Sequence, residues 1–85
     1  MKLIYTDTFK RNYKKLPKSI KNQAKKQLSL FLENPIFPSL HIKKMAGYTD
    51  IWQGRITLGY WFTFKIEGDN YILRRIGTHD SLRNL

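Results

Sequence analysis

From Tyr60 to Ile66 the chain alternates strictly, with Tyr60, Phe62, Phe64 and Ile66 interleaved by Trp61, Thr63 and Lys65. A two-residue period belongs to a strand with one apolar and one polar face; wound as a helix, the same residues would scatter around the axis. Gly68-Asp69-Asn70 then breaks the pattern with turn-forming residues, and Tyr71 to Ile76 resumes it, which predicts a hairpin. The enclosing stretch, Ile51 to Leu85, holds both tryptophans and runs through Arg74-Arg75-Ile76-Gly77-Thr78-His79-Asp80. Two cations and an imidazole are therefore expected around one sheet edge, with the upstream chain as their support.

That upstream chain divides cleanly. Lys2 to Tyr5 is short and apolar enough for a first strand. Thr6, Asp7 and Thr8 suit a helix start, and Phe9, Tyr13 and Leu16 then recur on one helical face. Leu16-Pro17 ends that helix, and Pro17 opens the next. The second helix carries Ile20, Ala24, Leu28, Phe31 and Leu32 on one stripe and stops near Glu33-Asn34-Pro35. Ile36 to Tyr48 is expected to be a connection, followed by strands at about Asp50 to Thr57, Tyr60 to Glu67 and Tyr71 to Gly77. Their short links predict an antiparallel meander. The expected fold class is α+β: a single domain over residues 1–85, ordered β-α-α-β-β-β, with both helices on one face of an antiparallel sheet. The opposite face is expected to be free for a ligand.

Eighty-five residues, 41% of them hydrophobic and 14% aromatic, suffice for one buried core. The absence of cysteine excludes a disulfide framework, a thiolate nucleophile and a cysteine-based zinc site. No long apolar run suggests a membrane span, so the expected location is cytoplasmic. Sixteen Lys and Arg against six Asp and Glu leave a formal charge of +10, which favours a polyanionic partner. Eight of those cations fall between positions 10 and 26, where there is no acid. Long basic stems commonly cover apolar surface on a solvated face; the missing anions point further, to phosphates or an acidic protein meeting the helix pair.

Standard catalytic sets are absent from the sequence. Two histidines without cysteine make no metal site, the glycines form no phosphate loop, and the six acids show no paired spacing. What is left is a cationic site, with His79 and arginines acting on a phosphodiester. His41 reads as a solvated loop side chain, and Lys43-Lys44 as a pair able to position a phosphate.

The entry FKRNYKKLPKSI into paired helices, Met45-Ala46-Gly47, Trp52-Gln53-Gly54-Arg55, the aromatic strand and the ending Arg75-Ile76-Gly77-Thr78-His79-Asp80 occur in this order. In that order they resemble the RelE/ParE superfamily of bacterial toxins over nearly the whole chain. The ending looks most like the branch with the YafQ and YoeB toxins. The resemblance implies a microbial-ribonuclease fold that cuts messenger RNA on the ribosome without a metal or other cofactor. An acidic cognate antitoxin would hold it in check, the toxin being monomeric alone and heteromeric with the antitoxin. In such chemistry the 2′-hydroxyl attacks the adjacent phosphate, leaving a 2′,3′-cyclic phosphate and a 5′-hydroxyl. His79 would serve as acid or base, Arg75 and Arg55 would hold transition-state charge, and Lys43, Lys44 and Arg74 would anchor the backbone. Trp61 or Tyr60 would stack on or orient a base.

Two positions depart from the family pattern. Tyr60-Trp61 stands where many members have Tyr-Arg, although YafQ-like members also carry tryptophan there, and Ile56 stands near the place of that branch's second histidine. The second proton-transfer group is left among Tyr60, Asp80 and a lysine. Two other functions compete: a ParE-like gyrase inhibitor without nuclease activity, and a catalytically silent nucleic-acid-binding domain. The Arg75-to-His79 cluster favours the nuclease.

Overall fold

The computed structural model describes residues 1–82; Arg83 to Leu85, the end of the stretch singled out in the sequence, lie outside the described residues. Strand β1 (Lys2–Tyr5) leads into helices α1 (Asp7–Lys14) and α2 (Lys18–Glu33). A 3-10 turn (Pro38–Leu40) and a two-residue strand β2 (Lys43–Lys44) precede β3 (Trp52–Thr57), β4 (Tyr60–Glu67) and β5 (Asn70–Thr78).

Each helix begins where the local chemistry asks it to. Thr6 is extended, and its Oγ1 accepts the Phe9 backbone N–H at 3.2 Å, supplying an acceptor that the helix itself lacks. The same hydroxyl donates to the Leu73 carbonyl at 2.8 Å, so the cap also fastens α1 to β5. Pro17 caps α2 rather than entering it: the Lys21 N–H bonds the Pro17 carbonyl at 2.9 Å. The buried stripe of α2 is Ala24, Leu28 and Phe31, with Ile20 packed at its margin. Leu32 is not part of it and is 44% exposed, because the residue after Phe31 is turned by about 100° around the helix.

Phe31 is the centre of the core. Its ring lies 5.3, 4.8 and 4.4 Å from those of Phe62, Phe64 and Tyr71, centroid to centroid. Phe9 of α1 joins the same cluster with Leu73 and Ile76 of β5. Both helices therefore cover one sheet face, as the paired periodicities predict.

The sheet order is β1-β5-β4-β3-β2. The four strands β2 to β5 run antiparallel to their neighbours, but β1 pairs parallel with β5, Lys2 opposite Asn70. The sheet is thus mixed where an antiparallel one is expected from sequence. The reason lies in connectivity. The meander strands are tied by tight turns that force antiparallel pairing, whereas β1 is separated from its partner by both helices, and a crossover of that length permits a parallel return. β2 lies inside the segment expected to be a plain connection; two residues are too few to display a period.

Register breaks in one further place that matters. Thr63 faces Arg75 while Phe64 faces Leu73, which makes Arg74 an extra residue in β5. Unbroken alternation from Leu73 would turn Arg75 into the core. The bulge instead lets Leu73 and Ile76 both reach the core, 0% and 2% exposed, and leaves Arg75 beside Thr63 on the other face.

Candidate active site

The sheet face turned away from the helices carries a row formed by Lys43, Gln53, Thr63 and Arg75, each opposite the next across β2, β3, β4 and β5. Arg55 and Trp61 form the adjoining row, followed by Gly77. Alternation along β2 assigns Lys44, opposite Trp52, to the other face.

Arg55 is held from several directions. Its Nη1 lies 2.8 Å from His41 Nε2, and its guanidinium carbon sits 5.4 Å from the centroid of the Trp61 ring, within cation–π range. Its backbone carbonyl accepts from Gln27 Nε2 at 3.0 Å, and the same amide reaches the Ser39 carbonyl at 3.3 Å. One side chain of α2 thereby ties β3 to the 3-10 turn at the residue that bears the cation. Gly54 makes this possible: a Cβ there would collide with the Phe62 ring and lie 2.7 Å from Ile42 Cδ1. Without that close approach, the loop carrying His41 would stand off from β3.

His79 opens a turn that doubles back over the same face. The Leu82 N–H meets the carbonyls of Thr78 and His79 at 3.2 and 3.3 Å, and Ser81 Oγ donates to the Thr78 carbonyl at 2.9 Å. Leu82 is thereby buried and closes a cavity of about 40 Å³ against Met45, Gln53, Trp61 and Thr63, with His79 at its exposed rim. The face is consequently less open than expected. Thr63, at its centre, is 0% exposed, and its hydroxyl has no hydrogen-bond partner among the described residues. A cavity of this size holds a water molecule, not a nucleotide; a base would have to lie over the rim, against Trp61.

Of the residues selected from sequence, Arg55, Trp61, His79 and Lys43 share this face, with Arg75 one strand from the cavity across Thr63. Arg74 and Arg75 also line a polar cleft of about 340 Å³ with Thr6, Thr8 and Lys65. Tyr60 is not brought to the cations: it packs against the core and lines a groove on the helix side with Asn12 and Leu16. His41, expected to be a solvated loop side chain, is exposed and also lies against Arg55, a contact that was not expected. Nothing local in the sequence signals that contact, which depends on Lys43 pairing with Gln53 and so bringing the turn before β2 alongside β3. Among the described residues, no three His, Asp or Glu side chains converge as a metal site requires.

The helix side carries a second feature. A groove of about 390 Å³ has an apolar floor of Tyr5, Phe9, Tyr13 and Leu28, with Lys10, Lys14 and Lys25 around it. It lies beside β1, an edge strand of the sheet.

No protein-family model matches this sequence, and no characterised protein matches it by sequence alone. Solved structures do. The RelB–RelE antitoxin–toxin complex from Methanococcus jannaschii superposes with a TM-score of 0.77 at 25% identity, covering 93% of both chains. YafQ from E. coli strain BL21(DE3) gives 0.80 at 17% identity, over 95% of this chain and 96% of that one. The YoeB/ParE toxin from Agrobacterium tumefaciens gives 0.77 at 16% identity, over 93% and 99%. Nearly the whole of this chain, two helices on a five-stranded mixed sheet, has the fold of the RelE, YafQ and YoeB toxins.

Proposed function

We propose that this chain is the toxin of a type II toxin–antitoxin system, acting in the cytoplasm as a ribosome-dependent endonuclease of messenger RNA. The observation that carries the reading is the gathering of Arg55, Trp61 and His79 on one sheet face, with Lys43 and Arg75 at its margins. The shared fold with toxins supports the role in outline, and the net charge of +10 suits an RNA partner.

In the proposed reaction the 2′-oxygen forms a bond to the adjacent phosphorus while the bond to the 5′-oxygen breaks. One proton leaves the attacking hydroxyl and one arrives on the leaving oxygen. An imidazole is suited to either transfer because its ordinary titration range spans neutral pH, and His79 stands at the exposed rim where a phosphate can approach. Arg55 and Arg75 supply fixed positive charge as the phosphate gains negative charge in the transition state. Lys43 and Arg74 contact flanking phosphates, and Trp61 offers a ring on which a base stacks. Lys44 serves as a peripheral phosphate contact from the sheet edge.

The proposed partner in the inactive complex is an acidic antitoxin. Its segment would cover the groove over Tyr5, Phe9, Tyr13 and Leu28, where Lys10, Lys14 and Lys25 supply the complementary charge. The similar chain from M. jannaschii was solved in a RelB–RelE antitoxin–toxin complex.

The direct test is primer extension on ribosomes programmed with a defined message. Cuts are expected with wild-type protein and ribosomes together, and absent with either alone. No cutting, combined with inhibition of DNA gyrase, would instead establish the ParE-like activity. Co-expression with the product of the adjacent reading frame tests the antitoxin: a stable complex is expected, and its absence would count against that partner.

A further inference from the structure

Arg55 cannot be deprotonated under ordinary conditions, so its Nη1 can only donate. The 2.8 Å contact is therefore a hydrogen bond only when His41 Nε2 offers a lone pair, in the tautomer that carries its proton on Nδ1. An imidazolium in the same place would set N–H against N–H and charge against like charge. The ring is delivered there by its own backbone. His41 ends the 3-10 turn at φ 46° and ψ 46°, its N–H bonded to the Pro38 carbonyl at 3.2 Å. On one side Leu40 is wholly buried, and on the other Ile42 packs against the core beside Gly54. A left-handed residue without glycine's freedom is uncommon, and here it stands between two apolar anchors with its side chain on the cation.

The contact also decides which part of the guanidinium remains available. With Nη1 on His41, one face on Trp61 and Nε buried without an acceptor among the described residues, Nη2 is the nitrogen left to meet a ligand. A guanidinium N–H directed at a phosphate oxygen makes a strong, charge-assisted hydrogen bond.

We propose that His41 is a positioning residue: its imidazole accepts from Nη1 and holds Arg55 so that Nη2 is presented to a phosphate oxygen. The inference rests on the nuclease reading and adds to it a residue that acts through Arg55 and not on the substrate. His79 and Arg75 are unaffected by it. Misplacing such a guanidinium costs transition-state stabilisation more than ground-state affinity, by analogy with the partners that orient metal ligands and with other positioning groups.

The experiment is a double-mutant cycle in the programmed-ribosome assay. His41→Ala is expected to lower kcat about 10- to 100-fold with KM little changed. His41→Gln, whose Oε1 can accept from Nη1, is expected to recover most of that loss. In an Arg55→Ala background, His41→Ala should add almost nothing. Unchanged kcat in His41→Ala, failure of His41→Gln to recover it, or a full additional loss in the Arg55→Ala background would each overturn the proposal. Should the wild type neither cut nor bind message, the nuclease reading falls, and His41 is then judged separately with inorganic phosphate. Followed by NMR, the Arg55 guanidinium signals are expected to move with added phosphate in wild type and much less in His41→Ala. Equal movement in both proteins, or none in either, would overturn the assignment.

Discussion

Thr63 stands opposite Arg75 across β4 and β5, although Phe64, its neighbour, stands opposite Leu73 and not Arg74. The skipped residue is what allows two consecutive arginines to avoid the core. In a regular strand one of the pair would have to face Phe31 and Phe62.

Deleting Arg74 should therefore be tolerated. The shortened run Leu73-Arg75-Ile76 still alternates core, outer face, core, so the melting transition should remain cooperative, with stability changed by no more than about 1–2 kcal/mol. Affinity for a short oligoribonucleotide should drop, and its salt dependence should become shallower as one phosphate contact is lost. Thermal melts and binding titrations at two salt concentrations check both halves.

His79 tests the proposed chemistry. His79→Ala should lose roughly two to four decades of cleavage rate, while stability stays within about 0.5 kcal/mol because the side chain is exposed. Arg75→Ala should also cut slowly, and Arg75→Lys should recover only part, since an ammonium lacks the planar fork. Primer extension with variants that melt like wild type is the measurement; undiminished cutting by His79→Ala would remove this residue from the mechanism.

Phe31→Ala separates packing from chemistry. The ring touches three aromatic neighbours at the centre of the core, and its removal should cost about 3–5 kcal/mol. Urea unfolding should show a lowered midpoint with an unchanged slope. A loss below about 1 kcal/mol would mean that the site collapses without leaving a cavity.

How much of this was readable beforehand follows from the range of each interaction. The alternation of Tyr60 to Ile66 and the stripe of Ala24, Leu28 and Phe31 are local periodicities, and they led to the right core and to helices on one face. The direction of β1, the two-residue β2 and the bulge at Arg74 depend on partners far along the chain, and no local pattern encodes them. Tyr60 and Trp61 illustrate the gap: both are aromatic neighbours suited to stacking, yet only Trp61 reaches the cations, because β4 sends adjacent side chains to opposite faces. The contact of His41 with Arg55 is hidden from the sequence for a related reason. The two lie 14 residues apart, in a register set by a strand pair too short to predict.

The lysines around the helix-side groove should matter to a protein partner and little to stability. Charge reversal at Lys10, Lys14 and Lys25 together should slow association with an acidic antitoxin and weaken its salt dependence, with cleavage on the ribosome retained in the absence of antitoxin. Stopped-flow association at low and physiological salt reads the effect. Equal rates for wild type and the triple variant would place the partner elsewhere.

The pairing of β1 with β5 gives the chain an order of assembly. Of its strands, β1 is synthesised first and β5 last, yet Lys2 pairs with Asn70, and the Thr6 hydroxyl finds its acceptors at Leu73 and Arg74. Loop-closure entropy must be spent on that meeting before any of its contacts return stability. During synthesis the early strand has no mate, the helices have no completed sheet to cover, and Arg75 and His79 arrive with the strand that closes the fold. A nascent chain of this kind acquires its cationic face in the same step that makes it a protein.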